Sequence, residues 1–326
     1  MRILITGATG LLGNNVARIA ANRRHEIWTL SRSSGEHPSL HGLNCRQISA
    51  DLARPGFESA LEKLEVDAVI HAAALIHIGW KKLEESLRVN RDGTQAILEW
   101  AARKSIRAIY VSTVNVLPVG SPEMPADEDT KGDGQIPCSY VQSKRAAQAV
   151  CDRFIRDGAD CYAVYPGFMI GPYDWQLSSG RMVQALQRFQ PWAPAGGCSV
   201  CDPRDVADAI LKVAIEGGRH RHYILAGENL SYFDLWTRIA KKLNTRPPVV
   251  AMRRPARVIG KWIANVVNCF ASDELDFNSA AIAMSQQFHY YRSIRAEKDL
   301  GYQTRSAQES LDDSIAWLRQ QRLLRS

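Results

Sequence analysis

Several signatures are missing from this sequence, and each absence removes a class of function. No Cys-x-x-Cys pair is matched by a second pair, and no aromatic-basic repeat runs along the chain, so zinc-ribbon folds and nucleic-acid partners are not expected. No cluster with metal-ligand spacing is present either, and no metal is expected. No uninterrupted apolar run approaches the ~20 residues needed to cross a bilayer. The nearest, from Arg257 to Phe270, places Val258, Ile259, Trp262, Ile263, Val266, Val267 and Phe270 at helical spacing, with Arg257 and Lys261 interrupting. It reads as an amphipathic helix; with Arg253 and Arg254 beside it, peripheral contact with an anionic membrane is the sharper alternative to ordinary packing. Met1-Arg2-Ile3-Leu4-Ile5-Thr6 leads straight into a strand with no leader pattern, which points to the cytoplasm. Internal repeats and low-complexity segments are absent as well.

What is present is an ordinary globular composition: 326 residues, 45% hydrophobic and 23% charged, with a formal charge of +7 that favours anionic small molecules. Short β-branched runs at Ile3–Thr6, Glu26–Leu30, Ala68–His71, Ala108–Ser112 and Cys161–Tyr165 alternate with helical patterns. That alternation predicts an α/β fold with a doubly wound parallel sheet, a Rossmann fold. Gly120 to Pro137 has no period and reads as a long loop, of the kind that borders sites. After Tyr165 the pattern turns irregular, which predicts a smaller, interleaved C-terminal substrate region. The expected division is residues 1–165 for the nucleotide domain, with a return segment at about 198–226. Residues 166–197 and 227–326 then form the substrate-binding region.

The run Gly7-Ala8-Thr9-Gly10-Leu11-Leu12-Gly13 lies between a predicted strand and a predicted helix. Such a turn aims backbone amides at an anion: Gly7 permits the bend, Gly10 admits a pyrophosphate, and Gly13 lets the helix approach the strand. An acid at the end of the second strand would accept from ribose hydroxyls and repel a 2′-phosphate. Here the residues are Leu30-Ser31-Arg32-Ser33, so the expected cofactor is NADP(H) over NAD(H), with Arg32 forked onto the phosphate. Further along, Tyr140-Val141-Gln142-Ser143-Lys144 puts a phenol and an ammonium on one helical face. A phenol's pKa of about 10 must fall toward working pH for efficient acid catalysis, and a neighbouring cation pushes that way.

These motifs, in this order, resemble the extended short-chain dehydrogenase/reductases of the NAD-dependent epimerase/dehydratase family. The resemblance also rests on Asp51-Leu52, His71-Ala72-Ala73-Ala74, Val89-Asn90-Arg91-Asp92-Gly93-Thr94, Tyr110-Val111-Ser112-Thr113, Pro166-Gly167 and Asp205-Val206-Ala207. Ile170-Gly171-Pro172-Tyr173-Asp174 and Asp299-Leu300-Gly301-Tyr302 point to its dihydroflavonol reductase-like branch. The resemblance implies that Gly7, Thr9, Gly10, Leu11, Leu12, Gly13 and Arg32 bind the cofactor's phosphates. It further implies that Asp51 and Leu52 flank the adenine, that His71, Ala72 and Ala73 line the cofactor's middle, and that Asn90 supports the sheet edge near the nicotinamide, with Pro166 and Gly167 closing the cofactor site. Tyr140 would exchange the proton, Lys144 would hold the nicotinamide ribose and lower the Tyr140 pKa, and Thr113 would hydrogen-bond the substrate oxygen.

Three positions depart from relatives acting on sugars. Tyr165 stands where many members have Arg, Leu117-Pro118 replaces Tyr-Gly, and Val114-Asn115 replaces the dehydratases' acid pair. The expected function is therefore NADPH-dependent reduction of a ketone or aldehyde, a small-molecule carbonyl or alcohol being the substrate. A nucleotide-sugar epimerase with tightly held cofactor is the alternative, and a non-catalytic NADP(H) sensor a second one. The helices Gly93–Lys104 and Tyr140–Asp157 could pair in a two-fold homodimer, as the resemblance implies. Cys198 and Cys201, at redox-motif spacing, should point to opposite faces of a strand. Tyr173, Trp175 and Trp192 are candidates for an apolar substrate pocket.

Overall fold

Residues 1–32, 37–252 and 278–324 are described by the structure, a computed structural model. The amphipathic stretch 257–270 with its neighbours Arg253 and Arg254, and Ser33 of the cofactor-selecting turn, lie outside them.

Seven strands form one parallel sheet: β1 (Arg2–Thr6), β2 (Glu26–Ser31), β3 (Arg46–Ser49), β4 (Ala68–His71), β5 (Arg107–Val111), β6 (Cys161–Pro166) and β10 (His222–Leu225). Their order across the sheet is β3-β2-β1-β4-β5-β6-β10. The order reverses between β1 and β4, which opens a crevice at the carboxyl ends of the strands where such folds bind ligands. Side chains alternate along β1. Ile3 and Ile5 pack with Val16 and Val206 on one face, beside α1 (Leu11–Asn22) and α6 (Pro203–Glu216). Leu4 packs with Ile97, Trp100 and Ala147 on the other, beside α3 (Gly93–Arg103) and α4 (Ser139–Arg156). Continuous apolar runs are what a sheet covered on both faces requires.

A smaller sheet holds β9 (Gly197–Cys201) between β11 (Glu228–Ser231) and β13 (Phe288–His289), with β7 (Phe168–Met169) also paired to β9. Its own core gathers Ile170, Val200, Leu235, Leu311 and Ile315. Cys198–Cys201, which opens the expected return segment at about 198–226, lies in this smaller sheet; within that return segment only β10, which holds Tyr223–Leu225, adds a strand to the main sheet. The reason is tertiary: Leu225, Ala226 and Gly227 turn the chain from β10 straight into β11, whose antiparallel pairing claims β9. Cys198 faces the smaller core and Cys201 the main one, both as buried thiols.

Candidate active site

β1 ends at Thr6 and α1 starts at Leu11, so four residues, Gly7 to Gly10, cover the strand-to-helix transition. Gly7 has φ of 75°, and a Cβ there would stand 2.7 Å from the Ala73 amide nitrogen; one on Gly13 would stand 2.2 Å from the Gly7 carbonyl oxygen. Strand, turn and helix thus meet backbone to backbone. The N-cap Gly10 offers no side-chain acceptor and the first turn of α1 carries no acid. Its leading amides have no partner within the helix, and the helix dipole adds positive potential there. A Cβ on Gly10 would meet nothing nearer than 3.4 Å, so the space above the turn is open to a phosphate. This cradle fits the pyrophosphate of a dinucleotide. Gly13→Ala is expected to destabilise the fold by about 1–3 kcal/mol and to weaken binding of a reduced nicotinamide dinucleotide at least ~10-fold, as seen by thermal melting and nucleotide fluorescence titration.

His71 closes β4 and is buried between two threonines. Thr6 Oγ1 accepts from the Ala73 amide at 3.1 Å and lies 2.7 Å from His71 Nδ1; Thr94 Oγ1 lies 3.1 Å from Nε2 and donates to the Asn90 carbonyl. With the Thr94 proton engaged by a carbonyl, the hydrogen bond from His71 must come from Nε2–H, and Nδ1 accepts from Thr6. Burial, with Lys144 nearby, pushes the imidazole down to about 3, so it is neutral. His71 therefore ties β1, β4 and the start of α3 together. Asn90 continues the link: its Oδ1 accepts from the Leu75 amide at 2.7 Å, while its Nδ2 donates to the Leu75 carbonyl and to Ser143 Oγ, both at 2.9 Å. The loop after β4 is thereby pinned to α4. Neither the Thr6–His71–Thr94 chain nor the Ser143 contact is readable from sequence, since each joins distant segments.

Thr113 follows β5 and caps a single 3₁₀ turn, Val114–Val116, accepting from the Asn115 amide at 3.3 Å. Tyr140 sits in the first turn of α4. The nearby Thr113 side chain lowers the phenol's pKa, but burial outweighs it and pushes Tyr140 up to about 12. Lys144, one helical turn on, is buried; its Nζ donates to the Val111 carbonyl at 2.8 Å and lies 4.5 Å from the Tyr110 ring centroid. Burial pushes the ammonium down to about 7. The expected lowering of the Tyr140 pKa by Lys144 is thus not a property of the chain alone, because the ammonium is directed at a carbonyl while desolvation acts on both groups.

Arg32 is exposed just past β2, and among the described residues no ion pair engages its guanidinium. Asp51 Oδ1 accepts from the Ala53 amide at 3.0 Å, and Leu52 packs beneath Gly93. Pro166 ends β6, and the Gly167 amide donates to the Leu225 carbonyl at 3.1 Å. The register aligns Thr6 with Leu30 and His71, His71 with Tyr110, and Val111 with Val164. All these positions therefore share the carboxyl edge of the sheet. The loop 120–137 runs past Tyr290 and Tyr291 and delivers the chain to Ser139 and Tyr140.

Tyr173 and Trp175 are elsewhere. They pack on Trp317 and, with Arg18 and His37, line a cavity of about 920 Å³ that includes none of Thr113, Tyr140 and Lys144. Trp192 is exposed on the two-stranded ribbon of β8 (Trp192–Ala193) and β12 (Val250–Ala251). Among the described residues no three His, Cys, Asp or Glu side chains gather as metal ligands, and no helix is long and apolar enough to cross a membrane.

A glycine turn at the switch point of a doubly wound sheet, beside a Thr–Tyr–Lys set, defines a dinucleotide-binding oxidoreductase. Comparison with known proteins takes this a step further: the chain belongs to the NAD dependent epimerase/dehydratase family, whose model matches residues 3–226, and is an NAD(P)-dependent oxidoreductase of the extended short-chain dehydrogenase/reductase type. It is 26% identical to a putative dihydroflavonol 4-reductase from Synechocystis sp., over 96% of this chain and 93% of that one. Identity is also 26% to the sterol demethylase protein B of Methylococcus capsulatus, over 99% and 100% of the two chains. The solved structure of gox2253 superposes with a TM-score of 0.83 at 28% identity, covering 99% of each chain.

Proposed function

We propose that this protein uses NADPH to reduce a ketone or aldehyde, with Tyr140 donating the proton and Thr113 holding the carbonyl oxygen. The observation that carries the reading is a Tyr140 phenol kept neutral by burial, with the Thr113 side chain near it and the buried Lys144 one helical turn on, at the sheet edge where a nicotinamide would lie. The first-turn amides of α1 hold the pyrophosphate, Asp51 and Leu52 flank the adenine, His71, Ala72 and Ala73 line the middle, and Lys144 faces the nicotinamide ribose. Reduced nicotinamide, when bound, supplies the hydride. Thr113 orients the carbonyl, and the Tyr140 proton passes to the oxygen as negative charge develops there, giving an alcohol. The tyrosinate left behind lies one helical turn from Lys144, whose ammonium stabilises it. Val114 and Asn115 provide no carboxylate for the water elimination of dehydratases. Names of the relatives that include a reductase agree with this direction.

The preference for NADPH rests on Arg32, exposed just past β2, with no carboxylate at Leu30 or Ser31 before it. Arg32→Ala is expected to weaken NADPH binding ~10- to 100-fold and leave NADH unchanged. Equal losses for both nucleotides would remove the role. The function itself is tested by a panel of carbonyls and nucleotide sugars with NADPH, followed by absorbance and product mass. An alcohol formed with stoichiometric loss of NADPH supports the proposal. An isomerised sugar with no net change in cofactor overturns it in favour of epimerisation.

A further inference from the structure

The loop after β4, from Ala72 to Trp80, has no regular secondary structure, and its residues alternate in exposure from Ala74 onward. Leu75, His77 and Gly79 turn inward, while Ala74, Ile76, Ile78 and Trp80 turn outward. An outward face of a surface segment ordinarily carries polar residues; this one is apolar at four successive alternate positions. Ile76 is 60% exposed, Ile78 36% and Trp80 48%. No charged residue occurs from His71 through Trp80.

The stripe is held in place and it is held at the site. The Tyr140 amide donates to the His77 carbonyl at 3.2 Å and the Ser139 amide to the Gly79 carbonyl at 2.8 Å, so the loop lies directly on the first turn of α4. Leu75 is gripped on both sides by Asn90. Beyond the stripe, the Asn278 side chain donates to the Ile78 carbonyl at 2.7 Å and the Trp80 indole to Ser279 Oγ at 2.9 Å. Tyr140 itself is seated in a buried apolar cluster with Cys138, Val141, Ala280 and Met284.

From this placement we propose that Ile76, Ile78 and Trp80 form the substrate-binding lip of the site, and that the substrate is a ketone carrying a long aliphatic or polycyclic hydrocarbon portion. The inference rests on the reductase reading and adds the class of substrate. The carbonyl end meets Thr113 and Tyr140, and the hydrocarbon portion covers the stripe. A nucleotide sugar is a poor occupant of this lip, because its diphosphate and hydroxyls would lie on apolar side chains, the indole N–H of Trp80 being given to Ser279.

The test is a series of methyl ketones from butan-2-one to dodecan-2-one, with kcat/KM measured for the full-length protein, Ile76→Ser, Ile78→Ser and the conservative Ile76→Leu. Each added methylene that reaches the lip is expected to raise kcat/KM about two- to fourfold in the unsubstituted protein. In the serine variants the loss should grow with chain length and exceed ~10-fold at the long end, whereas Ile76→Leu should keep the slope. Ile215→Ser, at the far end of α6 beside Arg107 where β5 begins, is the control for exposed apolar surface and should change nothing. A flat length dependence, or a slope the serine variants preserve, overturns the lip. Calorimetric titration of dodecan-2-one separates the two readings. Binding with a negative heat-capacity change that Ile76→Ser abolishes, but with no turnover of any carbonyl, would keep the lip and defeat the reductase.

Discussion

Tyr140→Phe is expected to lower kcat for carbonyl reduction by about 10²- to 10⁴-fold while leaving NADPH affinity within about twofold. The substitution deletes one oxygen and keeps the ring against Cys138, Val141 and Met284, so the apolar cluster around it persists. What is lost is the phenolic O–H, the proton that the proposed reaction passes to the carbonyl oxygen. Because burial holds the phenol up near 12, Tyr140 is a protonated donor throughout the pH range of ordinary assays, and the loss should be largest below about 7, where Lys144 carries the charge that stabilises the tyrosinate, and shrink toward pH 9. Thermal unfolding should shift by no more than about 1 kcal/mol, the ordinary worth of one hydrogen bond. Retention of more than a tenth of the activity, with the fold intact, would show that another group supplies the proton.

The same residue illustrates what the sequence could and could not convey. Tyr140 and Lys144 stand four apart, and helical spacing alone places them on one face. The acceptor of Lys144 is the carbonyl of Val111, 33 residues back on another element, and no local pattern encodes it. The central strands were legible because β1, β4 and β6 are apolar at nearly every position, as a sheet covered on both faces demands. β3 was not: Arg46-Gln47-Ile48-Ser49 is an edge strand whose residues are mostly exposed, so it shows neither an apolar run nor an alternation. Cys198 to Cys201 carries the opposite lesson. Its five-residue strand is fully buried and reads like a strand of the main sheet, yet pairing, which is decided by β11 and β13, puts it in the smaller one. The apolar stripe from Ala74 to Trp80 lies in the sequence in plain view, but only its two backbone bonds to α4 reveal that it adjoins Tyr140.

Lys144→Met should abolish turnover and stabilise the fold, and the pH dependence of that gain is its signature. The ordinary ammonium value is 10.5, and burial pushes Lys144 down to about 7 in the folded chain. Between those values the unfolded chain binds the proton that the folded chain has released, so the stability of the unsubstituted protein rises with pH from about 7 to about 10. Below about 7 both states carry the charge, and the folded state bears the whole cost of burying it. Methionine, of similar length and without charge, removes that cost, against which stands the lost bond to the Val111 carbonyl, about 1–3 kcal/mol if that oxygen is left without a donor. The net gain is expected to be about 1–3 kcal/mol at pH 6 and to shrink toward pH 9, measured by urea unfolding of both proteins at the two values. A variant less stable than the parent at pH 6 would show that the Val111 bond outweighs desolvation, and that Lys144 is held there for structure. A variant more stable but inactive would mark Lys144 as a group kept in the core against the stability of the fold, which is what a residue retained for its charge beside Tyr140 must be.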